Sequence, residues 1–129
     1  APACGARGWR VAGVVTMLAA VVGGAIPFGP FAPIGDDSIG RGIVETLRGS
    51  RSRAVLMRNH GPFTVGKDAR AAVKAAVMCE EVARTVHLAR ELGEPVPIAQ
   101  GDIDSLYLRY QNVYGQGADP GRDTEETIA

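Results

Sequence analysis

The stretch from residue 54 to residue 93 leaves little freedom in what it can form. Ala54, Val55, Leu56 and Met57 are apolar without alternation, the mark of a strand covered on both faces. Arg58-Asn59-His60-Gly61-Pro62 follows at once, and its glycine and proline demand a sharp turn. Residues 63–65 read as a second extended piece closed by Gly66. Lys67-Asp68 then opens the longest helix, with Asp68 as its N-cap. Ala69, Ala72, Val73, Ala76, Cys79, Ala83 and Val86 are small apolar positions through which that helix packs on a neighbouring layer. Gly93 stops it, and Pro95 and Pro97 keep it from resuming. Strands separated by helices make the chain α/β rather than all-α.

Upstream, residues 25–35 (AIPFGPFAPIG) hold three prolines and two glycines, which excludes a helix and predicts a rim loop with short extended pieces. Asp36, Asp37 and Ser38 form a helix start, where acidic groups also complement the positive end of the helix dipole. Ile39, Ile43, Val44 and Leu47 then recur at helical spacing as one buried stripe, and Gly49 and Ser50 end it. The basic segment 48–53 (RGSRSR) reads most simply as a solvated turn, with phosphate contact as a lesser alternative. A last helix is expected over residues 102–112, with Ile103, Leu106, Tyr107 and Tyr110 facing inward. Residues 117–129 are polar and acidic and read as a disordered tail.

The first residues need separate treatment. Arg7 and Arg10 precede an apolar run, residues 11–26, that superficially resembles a secretory signal. It is shorter than the roughly 20 apolar residues of a membrane span. It also contains several glycines and runs into the proline-rich loop without a convincing cleavage site. The expectation is therefore a piece of soluble core, with strand and buried helix both compatible with its lack of period. Fourteen basic residues balance fourteen acidic ones over 129 residues. No long-range field draws the chain to nucleic acid or to an acidic membrane, though a substrate phosphate could still bind through local groups. The two cysteines, Cys4 and Cys79, make no CxxC pair, so a reduced thiol and the cytoplasm are expected.

Chemistry is limited to few residues. Of the two histidines, His60 follows a buried strand and precedes Gly-Pro, which puts an imidazole at a sheet rim where binding sites gather. By position alone it is either a ligand or catalyst, or a turn residue bonded to backbone. His87 falls mid-helix between Val86 and Leu88 and reads as an ordinary packed or surface residue. Glu80 and Glu81 are adjacent in a helix, roughly 100° apart, and cannot form a catalytic pair on one face. Arg109, Tyr110 and Tyr114 form a polar and aromatic cluster that by itself reads as amphipathic packing.

Residues 58–83 (RNHGPFTVGKDARAAVKAAVMCEEVA) resemble the class II aldolase/adducin head family. The resemblance runs upstream through IPFGPFAPIGDDSIGRGIVETL and downstream to Tyr114-Gly115-Gln116, covering residues 24–116 well and the apolar segment 1–23 poorly. His60-Gly61 is common to the family, whereas the pattern HGPFxxGK and the YGQ ending are more similar to its L-ribulose-5-phosphate 4-epimerases than to its fuculose-phosphate aldolases.

The resemblance implies a partial three-layer α/β/α class II aldolase fold, truncated on its N-terminal side. It implies a cytoplasmic homotetramer acting on a phosphorylated keto-sugar, without nucleic acid or membrane as partner. In the family, three histidines hold a zinc ion that stabilises the enediolate formed in a retro-aldol step. His60 matches one of these ligands, and Tyr114 matches a tyrosine implicated in proton transfer across a subunit boundary. The other two ligands belong to an HxH motif, which this chain lacks. One matched histidine cannot make a three-histidine site, so an incomplete metal site and no turnover are expected of this chain alone. A related sugar-phosphate aldolase and a non-catalytic module like the adducin head are the alternatives.

Overall fold

A computed structural model of the protein describes residue 16 and residues 18–112. A π-helical turn, Leu18–Val22, leads into strand β1, Phe28–Gly29, and helix α1, Ser38–Leu47. Strands β2, Ala54–Met57, and β3, Gly61–Thr64, follow, then the long helix α2, Ala69–Leu92, and helix α3, Gln100–Asn112. The sheet has the order β1-β2-β3, with β1 parallel and β3 antiparallel to β2. Register is set by Gly29 opposite Met57 on one side and by Met57 opposite Gly61 on the other.

Strand β2 is fully buried at all four residues, as its unbroken apolar run requires. Alternation along the strand then sorts its side chains to two faces. Ala54 and Leu56 join a core cluster with Cys79, Val82, Ala83 and Val86 of α2 and with Val22 and Ile26. Met57 points the other way, where its terminal atoms lie against Gly29 of β1 and Gly42 of α1. Helices α1 and α2 thus cover opposite faces of the sheet, which is the expected α/β/α layering. Pro62 lies in β3, which is an edge strand of the described sheet, a place where a missing N–H is tolerated.

Local signals in the sequence are met with small shifts. Helix α2 starts where Asp68 accepts the Ala71 N–H at 2.7 Å and stops at Gly93. Helix α1 begins with Asp36 accepting the Ser38 N–H at 2.9 Å, while Asp37 makes an ion pair with Arg41 at 3.1 Å instead of a side-chain cap. Its stripe is narrower than the spacing predicts: Val44 is exposed and Gly42 is the buried position. In α2 the buried line is Ala75, Cys79, Val82, Ala83 and Val86; Ala69 and Val73 face outward. The apolar run near the start resolves, where described, as the π-helical turn with Ala19, Val21 and Val22 buried, packed against α2 and α3.

The basic segment 48–53 is not a solvated turn. Arg51 donates from Nε to the Gly23 carbonyl at 2.6 Å, pairs with Asp104 of α3 and lies 4.9 Å over the Tyr107 ring. Arg53 donates to Gln111 Oε1 at 3.2 Å, and Ser52 between them is buried, with its hydroxyl bonded to the Ala54 carbonyl at 2.7 Å. Arg51 and Arg53 both reach α3, while Ser52 between them turns into the buried side. That geometry turns two arginines into clamps for α3. The proposed tail, residues 117–129, lies outside the described residues, as do Cys4 and most of segment 1–23.

Candidate functional site

The turn after β2 carries the site. The His60 N–H donates to the Met57 carbonyl at 3.1 Å, closing a four-residue turn. Asn59 in that turn has φ of 60°, a left-handed conformation that asparagine tolerates better than most residues, and Gly61 follows at φ of 131°. Arg58 and Asn59 are exposed, while His60 is half-buried. The imidazole therefore stands at the rim of the sheet, at the end of β2, and not inside the core.

The rim loop after β1 meets it there. His60 Nε2 lies 2.6 Å from the Ala32 carbonyl oxygen. A carbonyl can only accept, so Nε2 carries a proton and donates; in the neutral ring the lone pair is then on Nδ1. The ring of Phe31 stacks on the imidazole with centroids 5.7 Å apart and planes 11° from parallel. Phe31 itself is 60% exposed, so this ring contributes little to the core and lies over the site.

The remaining candidates fall elsewhere. His87, Glu80 and Glu81 are exposed on α2, and Cys79 is buried in the core cluster. Tyr114 lies outside the described residues, two positions beyond the end of α3. Among the described residues, no group of three or more His, Cys, Asp or Glu side chains is placed to hold a metal ion. A rim imidazole with one uncommitted nitrogen suits a single ligand, but the described residues do not by themselves fit a zinc ion, which takes at least three protein ligands. Sequence reasoning missed Phe31 and Ala32 as partners of His60. Their only signal was an aromatic in a proline-rich loop whose position relative to residue 60 depends on strand pairing.

Comparison with known proteins agrees with this architecture. The family model for the class II aldolase and adducin N-terminal domain matches residues 3–87. The L-ribulose-5-phosphate 4-epimerase UlaF of Salmonella paratyphi B is 44% identical over 84 residues, covering 60% of this chain and 37% of the epimerase. The 5-methylthioribulose-1-phosphate/5-deoxyribulose-1-phosphate aldolase of Rhodospirillum rubrum is 26% identical over 102 residues, covering 79% of this chain and 45% of that enzyme. Among solved structures, an L-fuculose 1-phosphate aldolase superposes with a TM-score of 0.79 at 21% identity, over 85% of this chain and 50% of the aldolase. The chain thus spans half or less of the length of these relatives. No described helix is long and apolar enough to cross a membrane. With a family match over residues 3–87 and the layered sheet that carries His60 at its rim, the chain belongs to the class II aldolase and adducin N-terminal domain family.

Proposed function

We propose that this chain serves an L-ribulose-5-phosphate 4-epimerase, in which a carbon–carbon bond of a phosphorylated keto-sugar is broken and re-formed with inverted configuration. The observation that carries this reading is the position of His60: half-exposed, at the end of a buried strand, its ring held by two neighbouring residues. The epimerase is preferred because its similarity, 44% identity, exceeds the 26% to the R. rubrum aldolase. A sugar-phosphate aldolase is the second reading, favoured by the longer alignment with that enzyme and by the shared fold.

In the epimerase reading, His60 supplies one ligand to a divalent metal, zinc by family habit, whose further ligands are not among the described residues. A metal would bind at Nδ1, or take Nε2 at the expense of the Ala32 contact. Tyr114 moves a proton in the active site of another subunit of a cytoplasmic homotetramer. By itself the 129-residue chain is expected to show no turnover.

The test is a graft. Residues 24–116 replace the matched segment of the Salmonella epimerase, and the chimera is assayed on L-ribulose 5-phosphate, L-fuculose 1-phosphate and 5-methylthioribulose 1-phosphate. Epimerisation of the first is expected. His60→Ala should lower turnover by at least about 100-fold, since losing even an outer partner of a metal ligand costs about 10- to 100-fold. Cleavage of either aldolase substrate without epimerisation would establish the second reading. Activity indifferent to His60 would overturn both.

A further inference from the structure

The contact between the loop after β1 and the turn after β2 joins two segments by their place in the sheet. Gly29 pairs with Met57 in parallel register, and the Arg58 N–H donates to the Gly29 carbonyl at 3.2 Å. Both chains then leave the sheet side by side. Residues two and three positions beyond Gly29, Phe31 and Ala32, arrive against the residue three positions beyond Met57, His60.

We propose that Phe31 and the Ala32 carbonyl are positioning groups that set the ring plane and the tautomer of His60, so that Nδ1 is presented outward with its lone pair free. That this lone pair serves a metal rests on the function proposed above; the seat itself does not. Two independent contacts define the ring. The carbonyl fixes the direction of Nε2 and selects the tautomer protonated there, because an acceptor cannot bond a bare nitrogen. The near-parallel Phe31 face fixes the plane, since offset stacking of flat rings favours such a geometry. An exposed phenylalanine makes poor use of its apolar surface, and here its face lies along an imidazole instead of in the core. Either contact alone would leave the ring one rotation free. Together they leave none.

The sequence supplies its own control for a test on the whole 129-residue chain, because His87 is the only other histidine and is exposed on α2. With nitrogen-15 in the histidine rings, long-range proton–nitrogen spectra at about pH 8, above the ordinary imidazole range, report which ring nitrogen carries the proton. His60 is expected as a single tautomer protonated at Nε2, with ring protons shifted upfield by the Phe31 ring current. His87 should show the averaged mixture of a solvated ring. Phe31→Leu should abolish the upfield shift and move the tautomer signal of His60 toward that of His87; Phe31→Tyr should preserve both. Because residue 31 is largely exposed, the helical circular dichroism of either variant should match the parent, which shows that a lost seat is not a lost fold. A wild-type His60 indistinguishable from His87 would overturn the proposal, as would a Phe31→Leu spectrum unchanged from the parent. No metal or substrate enters this measurement. Failure of the epimerase reading therefore leaves the seat standing, and a mobile His60 in a catalytically active graft would sink the seat alone.

Discussion

At the residue scale, Met57 shows how one side chain can hold two layers together. Its end fills the space left by the absent side chains of Gly29 and Gly42, and a Cβ added at Gly42 would come within 2.8 Å of Met57 Cε. Met57→Ala should therefore cost about 2–5 kcal/mol, the range for emptying a buried position of this size. Urea unfolding of the two proteins measures it. Gly66 is constrained differently: a Cβ there would lie 2.5 Å from the Ala72 backbone nitrogen and 2.8 Å from the Ala71 carbonyl carbon. Backbone cannot swing aside as a side chain can. Gly66→Ala should displace the first turn of α2 and cost about 1–3 kcal/mol, as other overpacked sites do. Gly49→Ala makes a useful contrast, since nothing lies near its Cβ position and only its positive φ of 73° opposes the change.

At the scale of elements, α3 is met by cations from its neighbours. Arg51 reaches Asp104 and Tyr107, Arg53 reaches Gln111, and Lys74 of α2 lies 5.1 Å over the Tyr110 ring. Ile103 is the one buried residue of α3, with Leu106, Tyr107 and Tyr110 partly buried beside it, so these contacts add to an apolar seat that the helix shares with the π-helical turn. Arg51→Met should speed hydrogen exchange of the α3 amides while leaving those of α2 near their parent rates. The Arg51 and Gln100 hydrogen bonds hold the Asp104 carboxyl below the usual carboxylate range. A carboxylate with a lowered folded pKa stabilises the native state above its unfolded value, near 3.9, and that contribution disappears as pH falls through the folded value. Docking of α3 should hold steady from neutrality to about pH 5 and loosen below about pH 4. Asp104→Asn should show the loosened exchange at neutral pH and lose the acid step.

At the scale of the whole molecule, the chain offers one rim imidazole and much uncovered apolar surface. Phe31, Ile34, Val44, Val73, Val77, Leu88 and Leu92 are all exposed, in a chain spanning half or less of its relatives' length. Surface of this kind favours association. Sedimentation velocity should show a mass that rises with concentration, and substituting Val73 and Val77 together by lysine should reduce that rise. Equilibrium dialysis against zinc should return less than one ion per chain, unaltered by His60→Ala. A stoichiometric ion that His60→Ala abolishes would refute the incomplete site.

Much of the fold was legible in local chemistry. The unbroken run Ala54–Met57 meant a strand buried on both faces, Asp68 and Gly93 marked the ends of α2, and the sharp turn expected within residues 58–62 forms over Met57–His60, with Gly61 and Pro62 already in β3. These are short-range effects: steric limits on the backbone and hydrogen bonds made within a few residues. The HGPFxxGK pattern likewise carried the family and singled out His60 before any coordinates. Tertiary structure alone decided which face of each helix was covered, that Arg51 and Arg53 clamp α3, and that Phe31 and Ala32 reach His60. Arg51 and Asp104, Arg53 and Gln111, and Ala32 and His60 are separated by 53, 58 and 28 residues along the chain. Their meeting depends on parallel pairing of β1 with β2 and on the layer each helix joins, neither of which any local run of residues encodes.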